Sequence, residues 1–154
     1  MRRIWSLAVV AVLVMVLGSV GQVRAQSTAN VVVTAEVVDS CSITGGDVLF
    51  GALPVPAVAL YPAPAVNDPT VTCTVTTAWT ISDDLGANES GVVRRMENDG
   101  TPGAFLPYNL TYTANGIGNG LAQPLLIGAT VAGADYGVAL TGTYTDTVVL
   151  TVAF

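Results

Sequence analysis

Hydrophobic and polar positions alternate most clearly along residues 144–154. One face of this segment carries Tyr144, Val148, Leu150, Val152 and Phe154. The other face is mainly threonine, and period-2 alternation with β-branched residues predicts a β-strand. A strand this apolar needs neighbours, and no later strand follows it in the chain. We therefore expect its missing partner to come from elsewhere.

Residues 26–143 contain further short runs of strand type separated by turn residues. Strands are predicted at residues 30–38, 40–43, 48–50, 70–76, 79–82, 105–113, 125–131 and 136–140. The proline-rich stretch 53–69 predicts an extended edge or loop, because proline has no N–H for a sheet ladder. Residues 83–103 are polar, with a short apolar island at Val92-Val93. Many short strands and few helix signals are typical of an all-β sandwich, with a closed barrel as the competing architecture.

The N-terminus has the pattern of a secretory signal peptide. Arg2 and Arg3 precede an apolar run over residues 4–17, and Val23-Arg24-Ala25 is a small-residue cleavage site. An uncleaved membrane anchor is the alternative, which we disfavour because the run is short for a membrane span. Removal of residues 1–25 leaves about 129 residues, a length typical of one domain.

Charge is strongly one-sided after residue 25. All eleven acidic residues lie there, against only Arg94 and Arg95, so eleven minus two leaves a net charge near −9. Such a surface repels phosphates, and we expect no binding to nucleic acid or anionic membranes. The two arginines should pair with Glu97, Asp99 or Asp84. A local surface pair is favoured over an inter-subunit salt bridge.

The composition argues against catalysis. The chain has no histidine, which removes the commonest general base and the usual triads, and no nucleophile motif occurs. The acidic residues between 83 and 99 offer oxygen ligands for calcium, but their spacing matches no EF-hand. We interpret them as a solvated loop. The expectation is therefore no enzyme, no catalytic residue, no cofactor and no metal.

The two cysteines, Cys41 and Cys73, both lie in the part predicted to be exported. An even count in an oxidising compartment predicts one disulfide. Two free thiols are the alternative, which no CxxC motif or neighbouring histidine supports.

Four stretches resemble one known family, the spore coat protein U domain family, which includes subunits of archaic chaperone–usher pili of the Csu type. The first is a strand-like segment leading into Cys-x-Ile at residues 31–43 and then Phe50-Gly51, and the second is Val-Thr-Cys at residues 71–73. The third is the run of Arg94, Met96, Gly103, Leu106, Tyr108, Leu110 and Tyr112. The fourth and most specific is the terminal signature of Gly142, Tyr144, Asp146, Thr147, Val148, Thr151, Val152 and Phe154. The sequence departs from the family in its proline-rich segment 53–69 and in the glycine-rich stretch after Tyr112.

The resemblance implies an incomplete immunoglobulin-like β-sandwich, at residues 39–154, that lacks its final strand. Donor-strand complementation would complete it. A periplasmic chaperone would lend a strand first, and at the outer-membrane usher the N-terminal segment of the next identical or related subunit would replace it. The acceptor groove would run beside the C-terminal strand, along Tyr144, Val148, Leu150, Val152 and Phe154.

Residues 26–38 would then be the donor segment. Its apolar stripe consists of Val31, Val33, Ala35 and Val37. The alternative is that this stripe is the first strand of its own domain. The function implied is a secreted structural pilus subunit for surface adhesion and biofilm formation, passing through the periplasm to the cell surface. A secreted coat-like or adhesive ligand-binding β-sandwich is the alternative.

Overall fold

The computed structural model describes residues 25–154, so the predicted signal peptide lies almost entirely outside the described part. The chain divides into an N-terminal unit that ends at Glu36 and a compact domain from Val37 to Phe154. Residues 25–36 form no helix or strand, and all of them are exposed. The strand predicted over residues 30–38 is therefore absent here. Alternation produces a strand only where a neighbouring strand supplies hydrogen bonds.

The domain is built almost entirely from strands that pair antiparallel, which confirms the all-β class. The elements are β1 (Cys41–Ile43), β2 (Asp47–Val48), β3 (Leu60–Asn67), β4 (Thr70–Cys73), β5 (Ala78–Asp83), β6 (Arg94–Asn98), β7 (Phe105–Thr111), β8 (Asn115–Ile117), β9 (Ala122–Pro124), β10 (Gly128–Ala132), α1 (Gly133–Tyr136), β11 (Tyr144–Thr145) and β12 (Leu150–Ala153). Within residues 25–154, no helix is long and apolar enough to cross a membrane.

The strands form three ladders. The largest has the order β11-β6-β7-β10-β3-β2, and the other two are β1-β4-β9 and β12-β5-β8. The final segment therefore contributes to two different sheets, through β11 at its start and β12 at its end. Both β11 and β12 are edge strands, and so is β1.

Two buried clusters form the interior. The disulfide core consists of Val71, Cys73, Trp79, Ile81 and Leu125, and Cys41, Ile43, Tyr112, Leu150 and Val152 pack against it. The tyrosine core consists of Leu106, Val131 and Tyr136, with Phe50, Leu53, Tyr61, Met96, Tyr108, Ala139 and Tyr144 around it. The hydroxyl of Tyr136 accepts a hydrogen bond from the Val58 amide at 2.6 Å, which satisfies its polar end.

Three elements differ from the predicted ones. The polar stretch 83–103 contains β6, because antiparallel pairing with β7 and β11 supplies its ladder and its arginines have partners within the domain. The proline-rich β3 is not an edge, since it lies between β10 and the two-residue β2. Residues 133–136 form a single helical turn, which takes up the start of the strand predicted at 136–140.

The disulfide joins Cys41 and Cys73, which face each other across β1 and β4 with their Cα atoms 4.1 Å apart. Its closed loop includes β2 and β3, and Cys73 is 2% exposed. It ties the edge strand β1 to the interior of the domain. Short three-residue strands hold few ladder hydrogen bonds, so β1 depends on this crosslink.

Loss of this disulfide should strongly destabilise the domain. With 32 residues separating the cysteines, replacing both by alanine should lower the free energy of unfolding by about 3–4 kcal/mol. Urea unfolding followed by tryptophan fluorescence measures this, because Trp79 lies in the disulfide core. Reduction of the unmodified protein is the control and should give a similar loss. An unchanged unfolding midpoint in both samples would contradict the prediction.

Candidate functional site

The candidate site is an open groove beside the final segment of the chain. Residues 144–150, which we call the groove wall, have side chains that alternate between partly buried and exposed. Tyr144, Asp146, Val148 and Leu150 are the partly buried ones, and all four line the groove. The wall is extended, but residues 146–149 belong to no strand ladder.

One backbone edge of the groove wall is bonded to the rest of the domain. The carbonyl oxygen of Thr147 accepts from the Ala87 amide at 3.0 Å, and that of Val149 accepts from the Asp84 amide at 3.3 Å. The amide of Val149 donates to the Asp84 carboxylate at 2.9 Å. All these bonds involve odd-numbered wall residues, which direct their backbone groups to the same side.

The other backbone edge of the wall is open. In an extended chain, alternate residues direct their N–H and C=O groups to opposite sides. Asp146 and Val148 therefore turn theirs away from residues 84–87. Within residues 25–154, neither of them has a backbone hydrogen-bond partner. This edge is free to pair with a further strand.

The groove lies between this open edge and the segment 43–50. Its volume is about 460 Å³. The floor residues come from three strands and two loops and are mainly apolar, namely Pro69, Met96, Tyr108, Leu110, Ile127 and Ala129. The opposite side contributes Ile43, Val48, Leu49 and Phe50. An apolar floor beside a free backbone edge is the geometry that accepts an added β-strand.

A partly buried polar pair interrupts the apolar lining. The Tyr108 hydroxyl donates to Oδ2 of Asp146 at 2.6 Å, and the Asn88 amide donates to Oδ1 at 3.3 Å. Burial of the phenol, together with the Asp146 carboxylate, raises the pKa of Tyr108 well above its ordinary value of 10.0. Tyr108 therefore stays protonated as a donor, and Asp146 is held in place.

The start of the wall is positioned by Asn98, which is 2% exposed. Its Oδ1 accepts from the amides of Gly100 and Thr101, both at 3.0 Å, and so closes the turn after β6. A Cβ at Gly142 would overlap the Asn98 amide group, so only glycine permits this approach. Asn98 also pairs with Tyr144 in the β6–β11 ladder.

A second polar network lies on the strands that support the groove. Arg94 forms an ion pair with Asp83 at 2.6 Å, with the two side chains 17% and 5% exposed. The Tyr112 hydroxyl donates to the same carboxylate at 2.5 Å. These contacts link β5 and β6 to the chain just after β7. The prediction that Arg94 pairs with Glu97, Asp99 or Asp84 is wrong, because Asp83 at the end of β5 lies within 2.6 Å and binds the guanidinium instead.

The network shifts the pKa of two of its members. Burial raises the pKa of Asp83, but hydrogen bonds from Arg94, Tyr112 and the Leu85 amide outweigh it, and the pKa lies below 3.8. Burial and the Asp83 carboxylate raise the pKa of Tyr112 to about 12. At neutral pH the carboxylate is thus charged and the phenol protonated, which is the state that makes both hydrogen bonds.

Arg95 is also engaged within the domain. Its guanidinium lies over the Phe105 ring, 4.1 Å from the centroid, and Nε donates to the Asn88 carbonyl oxygen at 3.0 Å. The acidic residues between 83 and 99, considered above as calcium ligands, do not meet at one point. Among residues 25–154, no group of three potential ligands is placed to hold a metal ion.

Three of the five residues predicted for the acceptor groove line it: Tyr144, Val148 and Leu150. Val152 packs against the disulfide core, and Phe154 is 61% exposed. Asp146 lies in the groove but was not predicted there, because sequence reasoning selected only apolar residues. Its even-numbered position, on the same strand face as Tyr144 and Val148, was the sequence feature that could have predicted it.

The predicted donor residues are all exposed. Val31, Val33 and Val37 have 85%, 87% and 84% of their surface accessible, and Ala35 is exposed as well. None of residues 25–40 forms a strand. The stripe therefore keeps its apolar side chains and its backbone groups available.

The fold and the groove define an all-β sandwich protein with an unpaired sheet edge that suits an added strand. The chain belongs to the Spore Coat Protein U domain family, whose model matches residues 27–151. No curated protein sequence shows a significant match to it.

One similar solved structure is a complex of the chaperone CsuC with the tip adhesion subunit CsuE, a pre-assembly complex from the archaic chaperone–usher Csu pili of Acinetobacter baumannii. The similarity has a TM-score of 0.51 and 25% sequence identity, and it covers 77% of this chain. This chain spans only 40% of the matched chain, so the likeness concerns one part of that protein.

Replacing Asp83 by asparagine should destabilise the domain. Arg94 would then lie partly buried without its counter-ion, which costs about 3 kcal/mol. Chemical unfolding at pH 7 measures the loss. Glu89→Gln is the matched control, since Glu89 is exposed, and it should change stability by less than about 0.5 kcal/mol. Equal effects of the two substitutions would contradict this role for Asp83.

The stability of the domain should also depend on pH at both extremes. A lowered pKa of Asp83 stabilises the fold above pH 3.8, and this contribution is lost as the pH falls through the lower folded value. The raised pKa of Tyr112 stabilises the fold below pH 10, and that contribution is lost as the pH rises towards about 12. Unfolding curves across pH measure both. Tyr112→Phe should remove the alkaline loss assigned to Tyr112, and an unchanged profile would contradict the assignment.

Proposed function

We propose that this protein is a structural subunit of an archaic chaperone–usher pilus and that its groove accepts a β-strand from another chain. The observation that carries the proposal is the open edge of the groove wall above an apolar floor. Backbone groups of Asp146 and Val148 on that edge supply ladder hydrogen bonds, and the floor supplies pockets for alternate side chains. Family membership and the likeness to a chaperone–subunit complex of Csu pili support it.

A strand suits this site better than a small molecule. The groove volume of 460 Å³ falls within the range of about 300–1,000 Å³ typical of ligand pockets. A small ligand, however, would leave the extended backbone edge of residues 146–149 without a ladder. An added strand satisfies that edge and the apolar floor together. Only an added strand would therefore contact both the open backbone edge and the apolar floor.

The donor in the assembled fibre is the segment 26–38 of a second copy. Its stripe of Val31, Val33, Ala35 and Val37 is exposed and belongs to no strand. Each valine that becomes fully buried contributes about 1.5–3 kcal/mol, in addition to the backbone ladder. Three valines together make a long-lived junction between subunits.

Assembly would follow the order that the family suggests. The chain is exported through its signal peptide, and a periplasmic chaperone fills the groove first. At the outer-membrane usher, the donor segment of the next subunit replaces the chaperone strand. Because the donor and the groove are different surfaces of one chain, the contact does not close on itself and generates a fibre. Displayed at the cell surface, such a fibre serves adhesion and biofilm formation.

Changing one donor residue should separate polymerisation from chaperone binding. Val33→Asp places a charge on the side of the donor that enters the apolar groove, so we expect polymerisation to be blocked while the chaperone complex still forms. Val32→Asp is the matched control, because Val32 is equally exposed but lies on the opposite stripe. Co-expression with the cognate chaperone and usher, followed by electron microscopy and gel analysis of polymers, measures both.

The same assay tests the donor as a whole. Deletion of residues 26–38 should abolish fibres and leave the chaperone complex intact. Loss of chaperone binding in the deletion and in Val33→Asp would instead assign the segment to the subunit's own core. Normal fibres from the deletion variant would overturn donor-strand exchange.

A further inference from the structure

We propose that the Asp146–Tyr108 pair sets the direction and register of the incoming strand. The occupant is the donor segment of a second copy, running antiparallel to the groove wall with Ala35 opposite Asp146. This inference rests on the proposed function and adds the residue that determines the direction and register in which the donor strand binds. Asp146 thereby acts as a specificity-determining residue of the groove.

Asp146 is the one charged position on the inner face of the wall. Its neighbours on that face are Tyr144, Val148 and Leu150. The carboxylate is bonded to the Tyr108 hydroxyl and the Asn88 amide. Gly86 closes the space behind it, because a Cβ there would overlap Oδ2. Asp146 is thus held at a fixed point and presents a polar patch to any strand in the groove.

The donor stripe contains one small residue among three valines. A valine against Asp146 would strip water from the carboxylate without offering a hydrogen bond, which is unfavourable. Alanine has two methyl groups fewer and leaves room for a bridging water. The best donor position for the Asp146 site is therefore Ala35.

Antiparallel placement gives each donor residue a suitable neighbour on the groove wall. With Ala35 opposite Asp146, the flanking pairs are Val37 with Tyr144, Val33 with Val148 and Val31 with Leu150. A shift by two residues brings Val33 or Val37 against the carboxylate. A shift by one residue turns the other stripe inward, including Glu36.

Parallel placement fails in either register. With the four donor positions aligned to the four wall positions, Val33 meets Asp146. Moving Ala35 to Asp146 in the parallel direction brings Asp39 against Leu150, which buries a carboxylate on an apolar side chain. The direction of the donor therefore follows from the same polar pair that fixes its register.

Disulfide crosslinking between pairs of introduced cysteines, in the full chain, measures the register directly. The native Cys41–Cys73 bond joins residues that face each other on adjacent antiparallel strands, so such pairs can form a disulfide. Val33→Cys with Val148→Cys should give fibres that dissociate into a covalent ladder in hot detergent without reductant. Val33→Cys with Leu150→Cys reports a two-residue shift, and Val37→Cys with Leu150→Cys reports the parallel direction. Both should give monomers.

The outcomes of the crosslinking separate this inference from the proposed function. A ladder from the Val33–Val148 pair alone supports the register. A ladder from either other pair, ladders from several pairs, or crosslinked monomers only would overturn it, while fibres that depend on residues 26–38 would still support strand exchange. Failure of the unmodified chain to form fibres would overturn the proposed function.

A charge test keeps the inference falsifiable if the cysteine variants do not assemble. Ala35→Glu should lower the polymer yield by roughly tenfold more than Ala35→Lys, because like charges would meet at Asp146. In an Asp146→Asn background the difference should vanish. At Val33, the matched control position, lysine and glutamate should block assembly equally. The register would be overturned if lysine and glutamate had different effects at Val33. It would also be overturned if they had the same effect at Ala35.

Discussion

The backbone hydrogen bonds of the groove wall are the constraint on which the rest of this structure depends. Peptide groups away from water need partners, and here one side of residues 146–149 has them and the other does not. The bonded side holds the wall against residues 84–87. The unbonded side, above an apolar floor, leaves backbone groups and apolar surface that an added strand would satisfy. In the proposed function, assembly would use this same strand edge.

Partly buried polar groups keep this edge in a fixed shape. Asp83, Arg94 and Tyr112 connect the strands beneath the wall, and Asp146 joins the wall itself to Tyr108 on β7. A groove held by such contacts would lose little conformational freedom on accepting a strand, and preorganisation of this kind favours affinity. The disulfide has the same effect on the opposite side, where it secures the short strand β1.

Alternation in the sequence was enough to predict the all-β class and most of the strands. It failed where long-range contacts decide the outcome. β6 is polar because Arg94 and Arg95 find partners outside their own strand, and no local pattern reveals those partners. The final segment alternates apart from Asp146, but residues 146–149 lack a ladder because no neighbouring strand lies beside their open edge. Asp146 was not predicted as a groove residue because its side chain is polar and the groove face was defined by apolar residues.

Both arginines within residues 25–154 are committed to internal contacts, Arg94 to Asp83 and Arg95 to Phe105 and nearby carbonyl oxygens. The ten acidic residues other than Asp83 are thus left almost without compensating positive charge on the surface. A fibre built from many copies would be a polyanion along its whole length. At low ionic strength such fibres would repel one another and remain separate, whereas salt would shorten the range of that repulsion to about 10 Å or less. Because both arginines are used inside the domain, ionic strength would determine how closely the proposed filaments approach one another.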